Sequence, residues 1–294
     1  MLKGILIILA LGIFTFTSST FQDGEELCSG IAPQNDLWIG VNDKAASGIT
    51  EAEFNDIMDR LEKIYKPIFK KVYHRKFKIE RKWTDGTVNA YANQSGKTSM
   101  IHMFGGLARY QGMNKIGMAM VACHEIGHHL GGKPKVTRFL FPSWAANEGQ
   151  SDLFATLKCM RRYLRDDKLD ITRFENQIHP LAVEMCEKTW GTNEEVEICE
   201  LTSIGSQVLA NVLNSLAGSN KPVKFDTPDP TIVKKTDHSH PKAQCRLDTY
   251  FQGSLCTKNY LENIDLKDEK SAQCVRSEGF NIGVRPLCWY KPKN

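Results

Sequence analysis

Two histidines four positions apart, with a glutamate directly after the first, mark the stretch of this chain best equipped for chemistry. His124-Glu125-Ile126-Gly127-His128 fits the pattern H-E-x-x-H. On a helix, positions i and i+4 lie on one face, so His124 and His128 can offer imidazole nitrogens to one metal ion. Glu125 is adjacent and can reach a water on that metal. A zinc ion held this way lowers the pKa of its water to about 7, and a nearby carboxylate can then take the proton. The competing reading of the pentapeptide alone is a helix with incidental surface histidines.

The flanking residues weigh against incidental histidines. Lys115 to Cys123 is almost wholly apolar and free of proline, Asn114 suits a helix N-cap, and Gly131-Gly132 suits a stop. A helix that is apolar nearly all round is buried, and buried histidines need partners. A catalytic zinc takes three protein ligands and keeps one position open. Downstream, Ala146-Asn147-Glu148-Gly149-Gln150-Ser151-Asp152 opens a second helix. Glu148 and Asp152 are four apart on one face. They suit one carboxylate on the metal and another accepting the far ring N–H of a ligating histidine. Acidic residues favouring a helix N-terminus would look the same.

Other elements must position these groups. Thr50-Glu51-Ala52-Glu53 is a capping box opening a helix whose apolar face is Phe54, Ile57, Met58, Leu61, Ile64, Tyr65 and Ile68. Residues 77–83, 88–92 and 100–104 read as strands, the last two around a turn at Ser95-Gly96. A small sheet ahead of the metal helix offers a free edge to which an extended peptide can add. His102 reads as a sheet-face residue. A helix over residues 194–217 has Thr192 or Asn193 as its cap and Gly218 as its stop. After a proline- and lysine-containing loop, His240 precedes Pro241, a favourable first helical residue. That junction can aim His240 into a cleft, whereas His238 and His129 read as surface or supporting histidines.

Residues 1–20 read as a secretory signal: Lys3 supplies the charge, residues 4–16 the apolar run and Thr17-Ser18-Ser19 the small residues for cleavage. The run is short for a membrane span. The organisation expected is a signal over 1–20, an extension over 21–49, a catalytic domain over 50–256 and a cysteine-containing tail over 257–294. A net charge of +4 with 24% charged residues gives no nucleic-acid footprint. Export permits disulfides, and 9 cysteines leave at least one unpaired within the chain. Cys123, inside the buried helix, is the expected odd one. Cys186 and Cys199 can close a loop, and Cys245, Cys256, Cys274 and Cys288 suggest a stapled C-terminal region.

The segment Asn147 to Asp152 resembles the N-E-x-x-S-D of thermolysin-like gluzincins, whose glutamate is the third zinc ligand. A closer resemblance is to the HtpX-type heat-shock proteases and CAAX prenyl endopeptidases, which carry N-A-[FY] on an edge strand, H-E-[IL]-G-H, E-x-x-x-D and a late H-P-x-x-x-x-R. This chain has Asn89-Ala90-Tyr91, His124-Glu125-Ile126-Gly127-His128, Glu148 with Asp152, and His240-Pro241 with Arg246, in that order. The resemblance covers roughly residues 50–255. The family's transmembrane helices are absent, as in its exported soluble members, and the tail past 256 has no counterpart in the pattern.

Together these readings imply an α+β protein, a mainly helical zincin-type metallopeptidase core with a small antiparallel sheet. His124, His128 and Glu148 are the expected ligands of one zinc ion (Zn2+) per chain, with Asp152 orienting His124. Glu125 is the expected base, with His240 and Arg246 stabilising the oxyanion. Asn89 and Ala90 would hold an extended peptide or protein substrate drawn from exported or envelope proteins. Two other classes fit the same residues: a zinc amidase acting on cell-wall amides, and a non-catalytic zinc-containing chaperone or binding module. Retention of Glu125 argues against the latter, since binding needs no base.

Overall fold

The computed structural model describes residues 30–138, 141–166 and 177–292. The signal-like segment over 1–20 and Cys28 lie outside the described residues. The architecture is α+β, with helices packed about a three-stranded sheet and a separate two-stranded hairpin.

Helix α1 (Glu51–Val72) begins at the expected capping box. The Thr50 hydroxyl accepts from Glu53 N, and the Glu53 carboxylate accepts from Thr50 N. Its buried face, Phe54, Ile57, Met58, Leu61, Tyr65 and Phe69, packs on β1 (Lys76–Lys82). Strands β2 (Ala90–Ser95) and β3 (Thr98–Phe104) form a hairpin turning at Gly96, where φ is +53°. The sheet order is β1-β3-β2, with β1 parallel to β3 and β2 antiparallel to it. The sheet is therefore mixed, not antiparallel as the sequence suggested. The tight turn commits β2 and β3 to antiparallel pairing. The buried Phe77 and Ile79 then bring β1 onto the remaining edge of β3 beside Ile101, which leaves β2 at the sheet's border.

A short turn of helix, α2 (Gly105–Ala108), leads to α3 (Lys115–Leu130). Asn114 caps α3 through Gly117 N at 2.8 Å, and every residue from Ile116 to Leu130 is buried. Between α3 and the next helix lies a short hairpin, β4 (Lys135–Arg138) with β5 (Phe141–Ala146). Helix α4 (Glu148–Phe154) runs into a π-helical stretch (Ala155–Met160) and then α5 (Arg161–Asp166). Helix α6 (Pro180–Thr189) was not anticipated. Helix α7 (Asn193–Leu216), capped by Thr192, packs along α3, and α8 (Ala243–Ser254) packs on α7 and α4. Helix α8 starts two residues later than Pro241 suggested. His240 and Pro241 stay in the lead-in, because a proline φ suits extended backbone as well as a first helical turn. Among the described residues no helix is long and apolar enough to cross a membrane.

Among the described residues four disulfides join Cys123–Cys159, Cys186–Cys199, Cys245–Cys288 and Cys256–Cys274. The expectation that Cys123 is unpaired is thus corrected. Its helix packs against the π-helical stretch carrying Cys159, a meeting of two buried elements with no local signature. Cys186–Cys199 links α6 to α7. The two late bridges hold the tail against α8, and the fully buried Trp289 packs against Gly149 of α4, where any Cβ would strike the indole.

The π-helical stretch also buries Lys158, wholly inaccessible, with Nζ donating to Asn259 O at 2.7 Å. Burial, reinforced by Arg162, lowers its pKa from 10.5 to about 7. Between those values the unfolded chain holds a proton that the folded chain has lost, so stability rises with pH across that window. Thermal midpoints should climb from pH 7 to 9 in the native sequence and run flatter in Lys158→Met. Equal slopes in both would show that Lys158 titrates normally.

Candidate metal centre

The α3 spacing places His124 and His128 on one face, their rings 4.7 Å apart and edge-on. Helix α4 brings Glu148 against them, and Gly127 makes this approach possible. A Cβ on Gly127 would lie 2.8 Å from Ser151 O and 2.9 Å from Ser151 Cα, so any larger residue would push α4 away. The Glu148 carboxylate oxygens lie 3.3 Å from His124 Nε2 and 3.7 Å from His128 Nε2. Three ligands at zinc-like bond lengths of about 2.1 Å in tetrahedral geometry stand about 3.4 Å apart. His124, His128 and Glu148 thus form a group able to hold a metal ion, with ligand atoms all within 4.8 Å of one another.

Hydrogen bonding sets the tautomers. His128 Nδ1 lies 2.9 Å from Ala146 O and 3.0 Å from Ser151 Oγ. A carbonyl only accepts, so Nδ1 carries the proton and the Nε2 lone pair faces Glu148. His124 Nδ1 lies 2.7 Å from Asp152 Oδ1, which leaves its Nε2 facing the same point. Both Nε2 atoms are buried and make no hydrogen bond, a costly arrangement that a metal ion would relieve.

Burial and the close charges shift every group of the metal-free cluster. Burial alone would lower the His124 pKa, but the Asp152 carboxylate prevails and raises it to about 9. Burial carries His128 down to about 4 despite Glu148. Glu148 is held below the usual carboxylate range: burial opposes this, but His128 and His124 outweigh it. Glu125 is fully buried, neither carboxylate oxygen makes a hydrogen bond, and burial raises its pKa to about 8. Its Oε2 lies 4.0 Å from His128 Nε2, on the metal-facing side of the ring.

Asp152 is clamped from behind by Arg246, whose Nε and Nη2 reach Oδ2 and Oδ1 at 2.8 and 2.7 Å. Arg246 therefore sits on the Nδ1 side of His124, 3.3 Å from that nitrogen, and positions Asp152. Asp152→Asn keeps the shape but turns an amide N–H toward a donor. Metal affinity, measured by chelator competition, should fall roughly 10–100-fold with the fold retained. Unchanged affinity would reduce Asp152 to a helix-terminus role.

His240 stands beside the cluster, its Nε2 3.5 Å from Glu148 Oε2. That same Nε2 donates to Gly30 O at 2.8 Å. Asn89 and Ala90 lie on the β2 border, engaged with residues 31 and 32. His129, expected as a surface or supporting residue, is buried. Its Nε2 donates to Met100 O at 3.0 Å and its ring stacks on Trp144, which ties α3 to β3 and to β5.

Sequence reasoning missed the network beneath α4. Gln150 Nε2 donates to Gly131 O and to Gln273 Oε1, both at 2.7 Å, and Arg285 Nε donates to Gln150 Oε1 at 2.7 Å. The tail thereby braces the helix that carries Glu148. The one local hint was a polar Gln150 beside the ligand on a helix otherwise destined for burial.

Neither a protein-family model, nor a curated protein, nor a solved structure matches this chain. The site is therefore read from its own chemistry.

Proposed function

We propose that the protein is a zinc-dependent endopeptidase with a zincin-type core, hydrolysing peptide bonds of exported or envelope proteins. The observation that carries this reading is a buried carboxylate without hydrogen bonds, Glu125, beside two histidines whose bare Nε2 atoms converge with Glu148. Two histidines and one carboxylate suit zinc and leave a position open.

A zinc ion bound there supplies a Lewis acid that acidifies water and polarises a carbonyl. Glu125 takes the proton of the attacking water and passes it to the leaving amine nitrogen. His240, donating from Nε2, stabilises charge developing on the scissile carbonyl oxygen. Asp152 and Arg246 hold His124 in the metal-facing tautomer. The β2 border at Asn89 and Ala90 holds the substrate extended.

The four disulfides support export, since such bridges persist in oxidising compartments. The test is digestion of a proteome-derived peptide library by the purified chain with zinc, and again after chelation. Peptide cleavage that disappears with the metal and returns on its addition supports the reading. Cleavage of glycan-linked amides but not of peptides would favour a cell-wall amidase, and metal binding without hydrolysis a binding module.

A further inference from the structure

The face beside the metal cluster already holds a peptide, and it belongs to this chain. Gly30 O accepts from His240 Nε2 at 2.8 Å, and Ile31 O from Arg246 Nη1 at 2.6 Å. Ile31 N donates to Ala90 O at 2.9 Å, lengthening the border of β2. The Asn89 side chain grips Ala32 both ways, accepting from its N at 3.3 Å and donating to its O at 3.1 Å. Each bond goes to a main-chain atom of residues 30–32: one from the main chain of Ala90 and the rest from the side chains of His240, Arg246 and Asn89. Further along the same border Trp38 pairs antiparallel with Thr87.

Three features make the fit specific. Gly30 has φ +88°, and a Cβ there would lie 2.8 Å from both Ala90 O and Asn89 Oδ1, so glycine alone fits. Ile31 and Ala32 are completely buried, whereas most of residues 33–38 is exposed and Ile39 is buried again. The short segment is thus seated like a ligand, on a connection that runs through solvent to an anchored residue. Glu125 and the metal-facing histidines are meanwhile closed to solvent, so substrate entry requires displacement of something now in place.

We propose that the β2 border, His240 and Arg246 form a backbone-recognising peptide subsite, and that residues 30–32 are its built-in occupant, holding the enzyme latent. This rests on the peptidase reading above. Peptide substrates then compete with the chain's own N-terminal segment. Tethering gives that segment an effective concentration on the order of mM, so a free peptide competes poorly until the segment is weakened or cut. Because the contacts are to backbone, the subsite takes peptides with little regard to sequence beyond glycine at the position of Gly30 and small or aliphatic residues at the positions of Ile31 and Ala32.

The test uses the full chain. Gly30→Val removes the positive-φ fit without burying a charge, and Ile31→Ser withdraws the apolar anchor and leaves the turn unchanged. In a Glu125→Gln background, where cleavage is suppressed, the probe is a dye-labelled acetyl-Gly-Ile-Ala-Pro-Gln amide read by fluorescence anisotropy. Either N-terminal variant should bind it at least tenfold more tightly than Glu125→Gln alone. With Glu125 intact, turnover of an unrelated peptide should rise by a similar factor, mainly through KM. Unchanged probe affinity in both variants, with circular dichroism and disulfides intact, overturns the proposal and makes residues 30–32 a fixed part of the fold. Tighter probe binding without turnover in any variant supports the occupied subsite and counts against the peptidase reading instead.

Discussion

Glu125→Gln should extinguish turnover while the chain keeps its metal. The glutamine matches the carboxylate in size, so the buried site needs no repacking. The native carboxylate makes no hydrogen bond that the amide would forfeit. What is lost is the base. Positioned proton transfer contributes on the order of 10²–10⁴-fold to a rate, and kcat should fall by that factor. Metal content, measured by mass spectrometry of the purified protein, should stay at about one zinc per chain, the complement expected of one three-ligand catalytic site. This pairing of outcomes separates a base from a ligand: loss of metal with loss of rate would make Glu125 part of the coordination sphere. Cleavage at the native rate would mean that the peptidase mechanism is wrong, however well the geometry fits.

The second large effect concerns retention of the ion. The double replacement His124→Ala with His128→Ala leaves Glu148 as the one remaining member of the cluster, and one carboxylate does not hold zinc against water. Metal content should drop to near zero. A thermal experiment gives an independent reading, because a ligand that binds only the folded state stabilises it by RT ln(1 + [L]/Kd), about 2.7 kcal/mol at a hundredfold excess over Kd. Chelation should therefore lower the thermal midpoint of the native chain and leave that of the double variant where it was. Full zinc occupancy in the double variant would remove the assignment of these residues altogether.

The parts of the site legible in the sequence are those that one helix or one turn specifies. His124 and His128 share a face because four residues make about one helical turn. Asn114 caps that helix, and the Thr50–Glu53 box opens α1, because capping bonds span two or three residues. Glu148 and Asp152 fall on one face of α4 for the same reason as the histidines. That Asp152 pairs with His124 was inferred from chemistry, and the two side chains lie 2.7 Å apart.

Contacts between distant segments were not legible. Cys123 meets Cys159 across a separation of 36 residues, and nothing in either neighbourhood singles out the other. Parallel pairing of β1 with β3 depends on which edge the hairpin leaves open beside α1. Gln150, Gln273 and Arg285 converge only because the tail folds back beneath α4. Arg246 reaches Asp152 and Ile31 O at once only after α8 and the N-terminal segment have docked. Each such contact is won by burial of whole faces, a property of the assembled core to which no local run of residues corresponds. The seating of residues 30–32 on the β2 border belongs here as well. The sequence named that border as a place for an extended peptide, and only the tertiary structure decided that the chain's own N-terminal segment lies there, because Gly30 and Ile31 fit it.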